Sequence, residues 1–140
     1  MIAAGERVFV DTGAWIALAE KRDVLHERAA EQWAAIEEAG ARLYCSVPVV
    51  IETFTFLDRR GSREAALRWK AGLAAVARLE MFGVAPEDLD EAWRLFDQRQ
   101  LHKLSLVDAT SFVLMRRHRI RTAFAFDTHF SVAGFRYVIS

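Results

Sequence analysis

Apolar positions along this chain recur with two different periods, and the switches between them mark out its elements. Arg7 to Asp11, RVFVD, is a short apolar, β-branched and aromatic run that predicts a buried strand ending on a carboxylate. TGAWIALAEK continues from it with helical spacing. Leu25 to Ala39 is alanine-rich and amphipathic, with Ala29, Trp33 and Ile36 on one side and Glu27, Glu31 and Glu38 off it, until Gly40 stops the helix. Leu43 to Val47 predicts a second strand. Pro48, tolerated in a first helical turn, opens a helix over VVIETFTFLDRR that ends near Gly61. Ser62 caps a further helix running to about Arg78, Leu79 to Val84 reads as a strand, and Pro86 with Glu87 and Asp88 begins a helix to about Gln100. His102 to Leu104 connects. Ser105, followed three residues later by Asp108, has the form of a capping box and starts the helix VDATSFVLMRRHR, whose end is positively charged. Thr122 to Phe126 is another strand, closed by Asp127, and Tyr137 to Ile139 a last short one.

Strands that alternate with helical patterns favour βαβ units, so the expected fold is α/β: a three-layer α/β/α sandwich with a central, mainly parallel sheet. Composition agrees with a single domain over residues 1–140. With 53% hydrophobic and 27% charged residues the chain is an ordinary globular one, long enough to bury roughly two thirds of its unfolded surface. The single cysteine, Cys45, excludes an intramolecular disulfide and a zinc finger. A reducing cytoplasm is the simplest expectation for such a chain. The N-terminal MIAAGERVFVD breaks its apolar run at Gly5, Glu6 and Arg7, which is not a signal-peptide core, and no apolar stretch is long enough to span a membrane. Nineteen basic residues balance nineteen acidic ones. Any electrostatic function must therefore arise from how the charges are segregated.

In open α/β sheets, ligands bind beyond the carboxyl ends of the strands. Four acids are expected there: Asp11 after VFV, Asp127 after AFAF, Glu52 after LYCSV, and Asp108 at the head of a helix. Each has an ordinary reading when taken singly. Asp11 could cap the next helix, Asp108 could complete the box with Ser105, Glu52 could be solvated in a first turn, and Asp127 could stabilise a turn. Together they repel, because two carboxylates about 5 Å apart cost roughly 3 kcal/mol at an effective dielectric near 20. Protons or cations must settle among them. Oxygen donors without Cys or a His pair select Mg²⁺ or Mn²⁺ over zinc, and such ions activate water against a phosphodiester. Asp11-Thr12-Gly13 also has the look of an aspartic-protease loop, but that fold is mainly β and pairs two such loops, whereas most of this chain is helical. A phosphoacceptor receiver domain needs a pair of acids after the first strand and a late lysine, and neither is convincing here.

Arg116, Arg117, Arg119 and Arg121, with His118, form a basic run at a helix end. It reads either as a terminus offsetting the helix dipole or as a contact for RNA phosphates or an acidic partner. His26, His102 and His118 lack metal-ligand spacing. His129, two residues from Asp127, has a minor place in the cleft. The four tryptophans fall at helical spacings and are expected in the core or at a dimer contact, and Cys45 is expected to be a buried small hydrophobe.

VFVDTGAWIAL, VVIETF, LSLVDATSFVLM and FAFDTHF, in this order from about Arg7 to Ile139, resemble a PIN domain, and the chain's size resembles the VapC-type toxins of toxin–antitoxin pairs. The resemblance implies a Mg²⁺- or Mn²⁺-dependent endoribonuclease, commonly a homodimer, held in check by a cognate antitoxin. It implies Asp11 and Asp108 as direct metal ligands, with Glu52 and Asp127 completing the site. Thr12 would orient a carboxylate, and Ser105 would support. Gly13 stands where the family often has Ser, and Ala125 where it commonly has Ser or Thr; Thr128 is a possible substitute for the second hydroxyl. The alternative reading is a non-catalytic PIN-like domain that acts through RNA or protein partners.

Overall fold

The computed structural model describes residues 2–138. Five short strands, β1 (Arg7–Val10), β2 (Arg42–Ser46), β3 (Leu79–Phe82), β4 (Thr122–Phe124) and β5 (Arg136–Tyr137), form one sheet in the order β3-β2-β1-β4-β5. Every pairing is parallel, with Val8 opposite both Leu43 and Thr122. The helices are α1 (Thr12–Ala19), α2 (His26–Ala39), α3 (Val47–Phe56), α4 (Arg63–Ala74), α5 (Pro86–Leu95), α6 (Leu106–Arg117) and α7 (His129–Val132). Connections from β1 run one way to β2 and β3, and those to β4 and β5 run the other way. Right-handed crossovers then put α1 to α4 on one face and α5 to α7 on the other. This is the expected three-layer sandwich.

The core sits on both faces of β1, where Val8, Phe9 and Val10 are fully buried. A parallel strand covered on both faces must be apolar throughout, which is why RVFV does not alternate. Trp15 packs on Trp33 at 5.7 Å and on Trp69 at 6.0 Å between ring centroids, so three of the four tryptophans tie α1, α2 and α4 together. Trp93 is different, being 54% exposed beside Phe96. Cys45 is buried, and burial pushes its thiol up to about 12, so it packs as a hydrophobe.

Several boundaries fall short of the expected ones. α4 stops at Ala74, because Ala75 to Ala77 form the turn into Arg78, which has a left-handed φ of 61°. β3 ends at Phe82 and not Val84, and α5 ends at Leu95 before a separate 3₁₀ turn, Arg99–Leu101. α3 closes in a π turn, Leu57–Gly61, and Ser62 caps α4 by accepting the Ala65 N–H at 3.0 Å. β4 ends at Phe124, which leaves Ala125 and Phe126 in the connection to Asp127. The last strand is Arg136–Tyr137; the expected continuation to Ile139 lies outside the described residues. α7 was not expected, since four residues are too few to show a period.

Each strand is entered through an arginine: Arg7, Arg42 and Arg136 open β1, β2 and β5, and Arg78 and Arg121 immediately precede β3 and β4. The acids gather at the opposite edge. A net charge of zero thus conceals a polarised sheet, basic at the amino edge and acidic at the carboxyl edge. Among the described residues no helix is long and apolar enough to cross a membrane.

Candidate metal centre

Asp11 leaves β1 at the head of α1, with its own N–H donating to the Phe124 carbonyl at 3.0 Å and its carbonyl accepting from Ala14 and Trp15. Its backbone is extended, at φ −88° and ψ 163°, as for an N-cap residue, yet its side chain makes no capping bond. The carboxylate is 4% exposed, and its Oδ1 has no hydrogen-bond partner among the described residues. Burial pushes its pKa up to about 7; the Thr12 and Gly13 N–H groups oppose this, and the charges of Glu52 and Asp127 add to it. The Thr12 hydroxyl beside it is also buried and unpartnered. A Cβ placed on Gly13 would meet only Asp11 Oδ2, at 4.0 Å, so the missing Ser side chain is a matter of chemistry and not of space.

Asp108 lies in the first turn of α6, where its N–H donates to Ser105 Oγ at 3.0 Å. Only half of the expected capping box forms, because the Asp108 carboxylate turns to the other acids. It is 7% exposed, and burial, then Asp11, then Asp127 and Glu52 push it up to about 9. Asp127 behaves in the opposite way. Burial raises it, but the His129 N–H at 2.8 Å, a proton shared with Asp108, and the His129 ring together hold it below the usual carboxylate range. Asp108 and Asp127 are thus a coupled pair in which the proton stays on Asp108.

One donor atom each from Asp108, Asp127 and His129 lie within 4.8 Å of one another. His129 is not free to act as a ligand there. Its Nδ1 faces Asp127 Oδ1 at 2.6 Å and its Nε2 faces the His102 carbonyl at 2.8 Å, and both oxygens only accept. The ring must carry two protons to satisfy them, and the His102 carbonyl and Asp127 accordingly raise its pKa. His129 is a cationic clamp on Asp127. Its role was underrated from sequence; the spacing Asp127-Thr128-His129, an acid and a histidine two apart ahead of a helical turn, was the signal.

Asp11 and Glu52 both lie outside that tight set; Glu52 stands in the second turn of α3, half-buried and near enough for its charge to raise both Asp11 and Asp108. It borders an apolar depression with Ile51, Phe56 and Val107. Thr128 is exposed, and no hydrogen bond among the described residues ties its hydroxyl to a carboxylate. The arginine run lies elsewhere. Arg116 and Arg117 close α6, about 12–13 Å along the helix from Asp108 at 1.5 Å per residue, Arg119 lies in the turn beyond it, and Arg121 immediately precedes β4 at the basic edge. Arg117 is held by Asp88 and, at 3.4 Å, by Glu91, while Arg116 donates to the Ala133 carbonyl at 3.0 Å. These contacts tie α6 to α5 and to the α7 turn.

The donor set fits a hard divalent cation. It is built of carboxylate oxygens, one of them buried with no partner, and two of the acids hold protons near neutral pH that a dication would displace.

The chain matches the PIN domain model over residues 8–136. It is 39% identical over 130 residues to the 23S rRNA-specific endonuclease VapC20 of Mycobacterium tuberculosis, from strains CDC 1551 and H37Rv, with 91% of this chain and 95% of the relative covered. The crystal structure of M. tuberculosis VapC20, a sarcin-ricin loop cleaving toxin, matches the fold with a TM-score of 0.81 and 34% identity, over 91% of this chain and 95% of that one. Matched by the family model over most of its length and by these relatives over 91% of it, the chain belongs to the PIN-domain family, among its VapC-type toxin ribonucleases.

Proposed function

We propose that this protein hydrolyses RNA endonucleolytically with Mg²⁺ or Mn²⁺ bound by Asp11 and Asp108, and with Asp127 and Glu52 completing the site. The observation that carries the reading is the buried, unpartnered Asp11 Oδ1 at the carboxyl edge of the sheet, near enough to Asp108 for its charge to act on it. Asp11 and Asp108 would hold the cation, which would supply an activated water and neutralise charge on the phosphate. To hold it they would release the protons that burial favours on them. Asp127, held below the usual carboxylate range by its His129 contacts, is available as a proton acceptor. The buried Thr12 hydroxyl, which has no partner among the described residues, is a supporting group beside Asp11, and Ser105 caps the first turn of α6, which carries Asp108. The relative's substrate makes 23S rRNA, and its sarcin-ricin loop, the RNA class we assign. A cognate antitoxin, a homodimer and a cytoplasmic site of action complete the proposal.

The test is incubation of purified protein with ribosomal RNA in Mg²⁺ or Mn²⁺, against an EDTA control. Discrete cleavage with 5′-phosphate and 3′-hydroxyl ends is expected only with metal. Cyclic-phosphate ends would overturn hydrolysis by water, and equal cleavage in EDTA would overturn the metal role. The His129 clamp makes a separate prediction: His129→Asn should lower the rate about 10- to 100-fold, as loss of a group orienting a ligand does. A wild-type rate in that variant would mean the clamp has no bearing on the reaction.

A further inference from the structure

A groove of about 640 Å³ leads away from the acids along the face of β4 and β5, on the side where α2 is the flanking helix. It begins where the metal centre ends, because Phe126 and Thr128, the two neighbours of Asp127, line it. Arg28 of α2 lies over the Phe126 ring, its guanidinium carbon 5.7 Å from the centroid. Arg136, at the entry of β5, contributes a second exposed cation, and Glu6, which accepts from the Ala3 N–H at 3.2 Å, is the one acid of the lining.

Between these charges is Gln32. It is only 5% exposed and lines the groove. A primary amide offers two donors and an acceptor, so the edge of a base entering the groove can be met on both counts. A cation stacked on an aromatic ring, a second cation and a groove-lining amide form the set that receives a nucleotide: a plane for the base, charge for the phosphate, and a two-sided edge reader. The volume suits a unit of that size.

We infer that this groove is a nucleotide subsite, holding a base of single-stranded RNA next to the scissile phosphate. The Arg28–Phe126 pair carries the face of the base, Gln32 reads its edge, and Arg136 pairs with the phosphate beyond it. The inference rests on the nuclease reading for its direction toward Asp127, but the groove's chemistry is separate from the acids.

The experiment uses Asp11→Asn protein as a non-cleaving binder and measures fluorescence anisotropy with labelled single-stranded oligo(A), oligo(U), oligo(C) and oligo(G) ribonucleotides. Adding Arg136→Ala should weaken all four about tenfold and lower the slope of log affinity against log salt by about 0.7, the loss of one phosphate-associated charge. Adding Gln32→Leu should leave the slope unchanged and change the ranking of the four by about fivefold or more. Arg136 is exposed, so its truncation carries the test even if Gln32→Leu melts early. Parent affinities and slope in both variants, or no binding by the parent, would overturn the subsite. Cleavage by the Asp11 protein alongside unchanged variant binding overturns the subsite alone. The expected binding losses without any cleavage would support the subsite and overturn the nuclease reading.

Discussion

Asp11→Asn should abolish RNA cleavage while making the metal-free protein more stable at pH 8. The rate loss follows from charge. A unit charge about 4 Å from its counter-charge contributes about 4 kcal/mol at an effective dielectric of 20, and that much lost from the transition state is about a thousandfold in rate. The stability gain follows from burial. Asp11 has a folded pKa of about 7 against an ordinary 3.8, so the fold binds this proton more tightly than the unfolded chain does. Its contribution is complete below about pH 4 and is lost as pH rises to 7, amounting at pH 8 to a penalty of roughly 4 kcal/mol. Asparagine removes the charge but buries an amide at a cost of about 1–3 kcal/mol. A net gain of about 1–3 kcal/mol remains, or several degrees in Tm for a chain of this size. A variant that melts below wild type in EDTA at pH 8 would show that Asp11 is a structural cap whose charge the fold needs.

Magnesium should stabilise the protein more at pH 8.5 than at pH 6, and hardly at all in Asp108→Asn. In the metal-free protein Asp108 titrates near 9 and Asp11 near 7, so both carry protons at pH 6. Folded pKa values raised in this way mean that stability falls as pH climbs from about 4 toward 9. The cation binds the ionised forms, so it competes with protons and restores the stability lost. Calorimetry in buffers of different ionisation enthalpy should find close to two protons released per ion at pH 6, and fewer at pH 8.5. An equal Tm gain at both pH values, or an equal gain in Asp108→Asn, would place the ion elsewhere.

These expectations depend on acids that were legible from the chain but whose roles were not. VFVD and AFAFD each announce a buried strand running into a carboxylate, because an apolar run followed at once by an acid leaves that acid at the strand's end. Ser105 and Asp108 announce a helix start for a similarly local reason. The protonation pattern is not local: Asp108 and Asp127 are coupled across two connections, and which of them keeps the proton is decided by His129, itself held by the His102 carbonyl. The arginine run shows the reverse case, where half of a charge pattern conspicuous in sequence is taken up structurally, Arg117 by Asp88 and Glu91 and Arg116 by the Ala133 carbonyl.

By itself the sequence determined the alternation of strands and helices, the parallel α/β sandwich and the identity of the acids at its carboxyl edge. These follow from periodicity and from residues adjacent in the chain, which short-range sterics and burial dictate. Only the tertiary structure decided that Asp11 and Glu52 stand back from the tight set, that Asp11 Oδ1 is left without a partner, that His129 clamps Asp127, and that Arg28, Gln32 and Phe126 meet in one groove. Each of those depends on how far apart two elements distant in sequence come to rest. Packing of whole helices against the sheet sets that distance, and no local pattern records it.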